Sequence, residues 1–234
     1  MTDSIEALGF IDMHCHSDSG DASLCVRSLD VSELAGCGLP PMGMPGCGRF
    51  FSIGIYPWFI ERQAVDVALA VLAECCQDER VLAVGECGLD KCISTVFDVQ
   101  LAVFARQVAL SERIGKPLVI HCVRAFNELQ QLRKTLSPTQ VWIVHGFSGH
   151  RVLAEQLVKQ GFYLSFGKAL LQGGDKIAET LRATPPDRWF LETDEAAGLQ
   201  IGAVYQAAAK IAGLDSRALQ ERIYDNFKRV FRYD

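Results

Sequence analysis

Short, nearly continuous apolar runs recur along the chain, and several close on a polar cluster. They are FIDMHCH (10–16), VRSLDV (26–31), FFSIGIY (50–56), RVLAVGE (80–86), PLVIH (117–121), VWIVH (141–145), FYLSFG (162–167) and RWFLETD (188–194). Runs this short and this apolar suit strands buried on both faces, as in a parallel sheet. Between the later runs the apolar spacing becomes helical. Val65, Leu69, Leu72 and Cys76 share a face, as do Leu101, Phe104 and Val108, then Ala125, Leu129, Leu132 and Leu136, then Ile201, Tyr205, Ala208 and Ala212. A last helix is expected after Asp215 as its N-cap, with Leu219, Ile223, Phe227 and Val230 inward.

Strand–helix alternation predicts βα units. Eight candidate strands in 234 residues make a (β/α)8 barrel the leading topology, ahead of an open doubly wound sheet. The first third departs from the pattern. Only about nine residues separate the first two runs, too few for a crossover helix. The next connection, residues 32–49, is rich in Gly and Pro, which disfavour helix. The expected fold is therefore α/β, a distorted TIM (β/α)8-type barrel whose first two helices are missing or irregular. It forms one domain over residues 1–234, without internal repeats.

Composition narrows the class. Apolar residues are 49% and charged residues 22%, ordinary for a soluble globular chain, and no apolar run nears the roughly 20 residues that span a bilayer. The opening MTDSIEALGF lacks the basic and apolar regions of a secretory signal, so a cytoplasmic protein without membrane contact is expected. The nine cysteines contain no C-x-x-C pair, which argues for reduced thiols over a disulfide scaffold or zinc ribbon. A net charge of −5 without a dense Lys/Arg cluster argues against a scaffold that grips long nucleic acid by its backbone. It does not exclude an enzyme that meets phosphate through metal ions.

The chemistry gathers at the run ends. His14 and His16 end the first, Glu86 the fourth, His121 the fifth, His145 the sixth and Asp194 the eighth. On a strand, His14 and His16 point the same way. In a parallel barrel all these ends lie on one rim, where barrel enzymes keep their sites. The chain has five histidines, and only His150, at the start of a predicted helix, lies outside this set. Imidazole and carboxylate suit zinc or manganese, and an oxygen-rich shell with waters also admits magnesium. Four histidines and two carboxylates exceed one tetrahedral ion's needs, so two divalent metal ions bridged by Glu86 are the economical arrangement. That is hydrolytic chemistry.

At these residues the chain resembles the TatD-type metal-dependent deoxyribonucleases of the amidohydrolase superfamily. The likeness rests on FIDMHCH, GIYPW, VGECGLD, the spaced Gln100, Phe104 and Gln107, then GKPLVIHC, HGFSG, YLSFG, LETD and NFKRVF, in that order. The resemblance implies one ion held by His14, His16 and Asp194, a second by His121 and His145, and Glu86 between them. It implies Asp194 as the acid/base for the attacking water, and a DNA substrate, single-stranded or frayed at its ends, cut 3′ to 5′. Tyr56 stands where the family carries a histidine facing the substrate phosphate, and a phenol is a neutral, weaker anion partner. Gly146 replaces a common Cys, and Arg124 stands one place later than the family's arginine. Tyr56, Arg124 and Ser148 are the expected substrate contacts. Asp90 is either a ligand-orienting group or a turn residue, and Glu192 faces the rim or pairs with a base. Lys168 is a phosphate contact or a solvated lysine, and Trp58 a base-stacking or a core aromatic.

The same ligand set can attack a carbonyl carbon, so a hydrolase of an amide, ester, lactone or acyl-tRNA is the alternative function. A non-catalytic relative is the third reading, and the complete ligand set argues against it.

Overall fold

The computed structural model describes residues 9–17, 20–34, 38–41 and 50–233. Eight strands run parallel in chain order: β1 (Phe10–Cys15), β2 (Ala22–Asp30), β3 (Phe50–Gly54), β4 (Val81–Asp90), β5 (Leu118–Val123), β6 (Trp142–Val144), β7 (Phe162–Phe166) and β8 (Trp189–Leu191). A parallel bridge between Cys15 and Asp194 brings the eighth strand's outgoing end back to the first, so the sheet nearly closes into a barrel. Around it lie α1 (Val65–Cys75), α2 (Phe97–Ile114), α3 (Phe126–Leu136), α4 (Arg151–Lys159), α5 (Ala169–Gln172), α6 (Gly174–Ala183), α7 (Ile201–Ala212) and α8 (Ser216–Phe231).

The distorted (β/α)8 topology is the expected one, and its irregular part is where Gly and Pro placed it. Among the described residues no helix joins β1 to β2, and a 3-10 turn, Val31–Leu34, is the helical element between β2 and β3. Residues 35–37 and 42–49 of that connection lie outside the described residues. Two boundaries differ in ways that matter. β4 runs on to Asp90, so Glu86 sits inside a strand and not at its end. β8 stops at Leu191, so Asp194 lies beyond it.

Helix packing follows the apolar spacing. Leu219, Ile223, Phe227 and Val230 of α8 are buried, and Asp215 Oδ1 caps the helix by accepting from Ala218 N at 2.9 Å. Leu136 is the exception, exposed in the last turn of α3. Phe104 of α2, Trp142 of β6 and Phe162 of β7 meet edge to face, with ring centroids 5.3 and 5.6 Å apart. Fully burying each such ring is worth about 1.5–3 kcal/mol.

Two buried glutamines of α2 explain the spaced motif. Gln107 takes Ile55 N–H on Oε1 at 2.8 Å and donates Nε2 to Ile55 O at 3.1 Å. Gln100 does the same for Asp90, with 2.7 and 2.9 Å bonds. Each amide substitutes for a missing strand partner, and so fixes the outgoing ends of β3 and β4. Among the described residues no helix is long and apolar enough to cross a membrane. Among the described residues, Cys15, Cys75, Cys76, Cys87, Cys92 and Cys122 are free thiols.

Candidate metal centre

The outgoing ends of the strands build the centre. Asp12 and His14 lie on one face of β1, and His16 follows directly after it. Gly85 and Gly88 flank Glu86 and let β4 press against β5. A Cβ at Gly85 would lie 2.3 Å from Val119 O, and one at Gly88 2.0 Å from His121 O. Both have φ of 143°, which glycine alone adopts readily. The close approach sets the Glu86 carboxylate beside His121.

Glu86 faces two imidazole pairs with its two oxygens. Oε2 lies 3.4 Å from His14 Nε2 and 3.5 Å from His16 Nε2. Oε1 lies 3.0 Å from both His121 Nδ1 and His145 Nε2. Asp194 Oδ1 stands 3.6 Å from His14 Nε2 and 3.7 Å from His16 Nε2. Among the described residues, three sets have ligand atoms within 4.8 Å of one another: His14/His16/Glu86, Glu86/His121/His145 and His14/His145/Asp194. The last set shows that the two halves are continuous.

The donor set fits divalent cations on its own evidence. His14 Nε2, His145 Nε2 and Glu86 Oε2 are buried without a hydrogen-bond partner. Such orphaned atoms cost roughly 1–3 kcal/mol each unless something satisfies them. A cation among them would do so.

The electrostatics of the constellation point the same way. Burial, helped by the neighbouring His145, pushes His14 down to about 4. Burial opposes charge on His145 as well, but Glu86 beside it wins and lifts it to about 10. Burial also works against Glu86, yet His145, His121 and His14 hold its carboxyl well below the usual range. Glu86 therefore stays anionic and demands a positive partner.

Asp194 is placed by an atypical backbone. Its φ of 55° is left-handed, a region Asp tolerates better than most residues. Asp194 N donates to His14 O at 2.9 Å, and its own carbonyl accepts from His16 N at 3.4 Å. Asp12 clamps the neighbouring residue, accepting from Thr193 N at 3.0 Å and Thr193 Oγ1 at 2.6 Å. Sequence reasoning missed Asp12 and Thr193. The available signal was the period of two that puts Asp12 on the face of His14.

Outer partners orient the imidazoles. Asp90 Oδ2 lies 3.1 Å from His121 Nε2 and accepts from Trp58 Nε1 at 2.9 Å. Burial opposes ionisation of Asp90, but these bonds with Cys92 N–H lower its pKa. Asp90 is thus a ligand-orienting group. Glu192 is fully buried, accepts from Gly146 N, and stands 3.9 Å from His145 Nδ1. Burial raises it to about 8.

Tyr56, expected at the substrate, is buried at 7% exposure. Its hydroxyl lies 2.7 Å from Ser28 Oγ and 3.3 Å from His16 Nδ1. Arg124, directly after β5, and Ser148, in the loop after β6, are exposed at the outgoing strand ends. Lys168 is exposed at the start of α5. His150 is an exposed helix cap, its Nδ1 accepting from Leu153 N at 3.2 Å.

The family model described as TatD related DNase matches residues 48–232. The chain belongs to this family. Human TATDN2, named a 3′-5′ RNA nuclease, is 31% identical over 219 residues, covering 80% of this chain and 28% of TATDN2. The Bacillus subtilis metal-dependent hydrolase YabD is 34% identical over 129 residues, 54% of this chain and 51% of YabD. The alignments thus span about half of YabD's length and less than a third of TATDN2's. Escherichia coli YjjV, a metal-dependent hydrolase, is 28% identical over 79% of this chain and 78% of its own. The crystal structure of YjjV superposes with a TM-score of 0.81 over 96% of this chain and 98% of that chain, at 22% identity. This TatD family member therefore shares the YjjV fold. A cavity of about 850 Å³ opens at the opposite end of the barrel, beside Phe50, Val81 and Pro117, away from the candidate metal ligands.

Proposed function

We propose that this metal-dependent hydrolase is a nuclease that removes nucleotides from the ends of DNA, stepwise and 3′ to 5′, with two divalent ions of zinc, manganese or magnesium. The carrying observation is Glu86, one carboxylate oxygen toward His14 and His16 and the other toward His121 and His145. Ions bound there supply Lewis acidity and lower the pKa of a bound water from about 15.7 towards 7.

The chain's own residues do the rest. His14, His16 and Asp194 would hold one ion and His121 and His145 the other, with Glu86 shared between them. The Asp194 side chain is 24% exposed, whereas those of His14 and Glu86 are sealed at 0% and 6%. Asp194 is therefore the carboxylate that reaches the attacking water, takes its proton and returns it to the leaving oxygen. Arg124 and Ser148 receive the neighbouring phosphates at the rim. An end that is single-stranded or frayed suits a site sunk among strand ends. The nuclease named TATDN2 supports phosphodiester chemistry, and extends the candidate substrates to RNA ends.

The test is hydrolysis of a 3′-labelled single-stranded oligonucleotide by metal-reconstituted protein, with the His14→Ala/His16→Ala double variant as control. Stepwise, chelator-sensitive shortening absent from the variant is expected. A second reading, hydrolysis of an amide, ester, lactone or acyl-tRNA, is favoured by one observation: Tyr56 offers no positive charge to a phosphate. Metal-loaded protein that leaves the oligonucleotide intact and cleaves a small ester would establish it.

A further inference from the structure

Beside the metal centre runs a groove of about 410 Å³ whose wall includes His16, Tyr56, Trp58, Phe59 and Arg62. Two of its residues connect directly to the ligands of both ions. Tyr56 meets His16, and the Trp58 ring stands edge-on to His121 with centroids 5.6 Å apart. Trp58 is 44% exposed, whereas Trp142 and Trp189 are sealed at 0% and 1%. An exposed tryptophan is usually free to change rotamer. This one is pinned, because its indole N–H donates to Asp90 Oδ2, the same oxygen that lies 3.1 Å from His121 Nε2. The result is a flat, rigid apolar face tied to a metal-ligand network and turned toward open space.

We propose that this groove is a nucleobase-stacking subsite, with Trp58 as the platform for the base of the nucleotide being removed. The proposal rests on the nuclease reading and names the part of the substrate that the groove takes. Base–aromatic stacking tolerates every base, which suits an enzyme working along an end of any sequence. The groove's charges agree with a base more than with a phosphate. Glu33 and Glu195 also line it, and their carboxylates repel phosphate while accepting exocyclic amino N–H groups. Arg62 is the groove's cation. Its guanidinium lies 4.5 Å over the Phe59 ring, at the rim where the adjoining backbone phosphate would pass.

The test compares two single-stranded substrates with identical phosphates, one ending in a normal nucleotide and one in an abasic residue. Wild-type, zinc-loaded protein should show a KM about tenfold lower for the base-bearing end. Trp58→Ala should bring that ratio close to one, and Trp58→Phe should keep most of it. A purely structural role for Trp58 would lower kcat on both ends and leave the ratio in place, which would overturn the proposal. A wild-type protein that does not distinguish the two ends would overturn it as well. Should neither end be cut, the nuclease reading fails while the subsite remains testable. With Trp142 and Trp189 buried, tryptophan fluorescence reports groove occupancy through Trp58. Saturable quenching by deoxyadenosine monophosphate, absent with deoxyribose 5-phosphate and absent in Trp58→Phe, supports the subsite. No quenching in the wild type rejects it.

Discussion

Tyr56, expected at the substrate phosphate, turns instead to Ser28 and His16. Its hydroxyl touches His16 Nδ1, and its backbone N–H is held by Asp30 Oδ2 at 2.9 Å. An imidazole whose Nδ1–H is engaged presents Nε2 to a metal, so the phenol orients a ligand. Tyr56→Phe should weaken metal binding about tenfold, measured by competition with a chromogenic chelator, with little loss of thermal stability. His145 carries a second prediction. In metal-free protein its pKa of about 10 would leave it protonated near neutral pH. A cation must displace that proton, so affinity should rise about tenfold per pH unit up to about pH 10. Calorimetry in buffers of different ionisation enthalpy should count about one proton released per chain. The sign for stability is opposite. In metal-free protein a raised histidine pKa stabilises the fold below about 6.5, the unfolded value, and that contribution is lost as pH climbs through about 10. The convergence of the candidate ligand side chains was legible in the sequence because histidine is scarce in this chain and falls at run ends. Tyr56's partner was not, because Ser28 and His16 come from other strands and leave no local pattern.

At the scale of elements, the site depends on groups that lie outside the chemistry. Gln100 and Gln107 hold the ends of β4 and β3 from a single face of α2. Gln107→Leu should leave Ile55 N and O buried without partners, costing about 1–3 kcal/mol of stability in urea denaturation. Metal affinity should fall with it, since Ile55 precedes Tyr56. A variant as stable as wild type would show that β3 holds its end without the amide. Strand order, helix faces and the capping by Asp215 followed from apolar spacing alone. Strand ends did not. CGLD after Glu86 reads as a turn, because glycine and aspartate disfavour strands. It remains extended because Gly88 presses on β5 and Gln100 replaces the lost hydrogen bonds. Those are contacts between elements, invisible to any window along the chain.

For the whole molecule, barrel closure and the metal centre are one structure. Cys15 bridges Asp194, Asp12 grips Thr193, and Asp194 N reaches His14 O, so the seam between β1 and β8 carries half of the candidate ligands. In the proposed mechanism Glu86 joins two ions into one hydrolytic centre. The most direct measurement is metal stoichiometry by equilibrium dialysis, paired with oligonucleotide hydrolysis, for wild type and Glu86→Ala. Two ions per chain in wild type, one or none in the variant, and turnover lost with the second ion is the predicted result. Full hydrolysis by Glu86→Ala holding a single ion would contradict it.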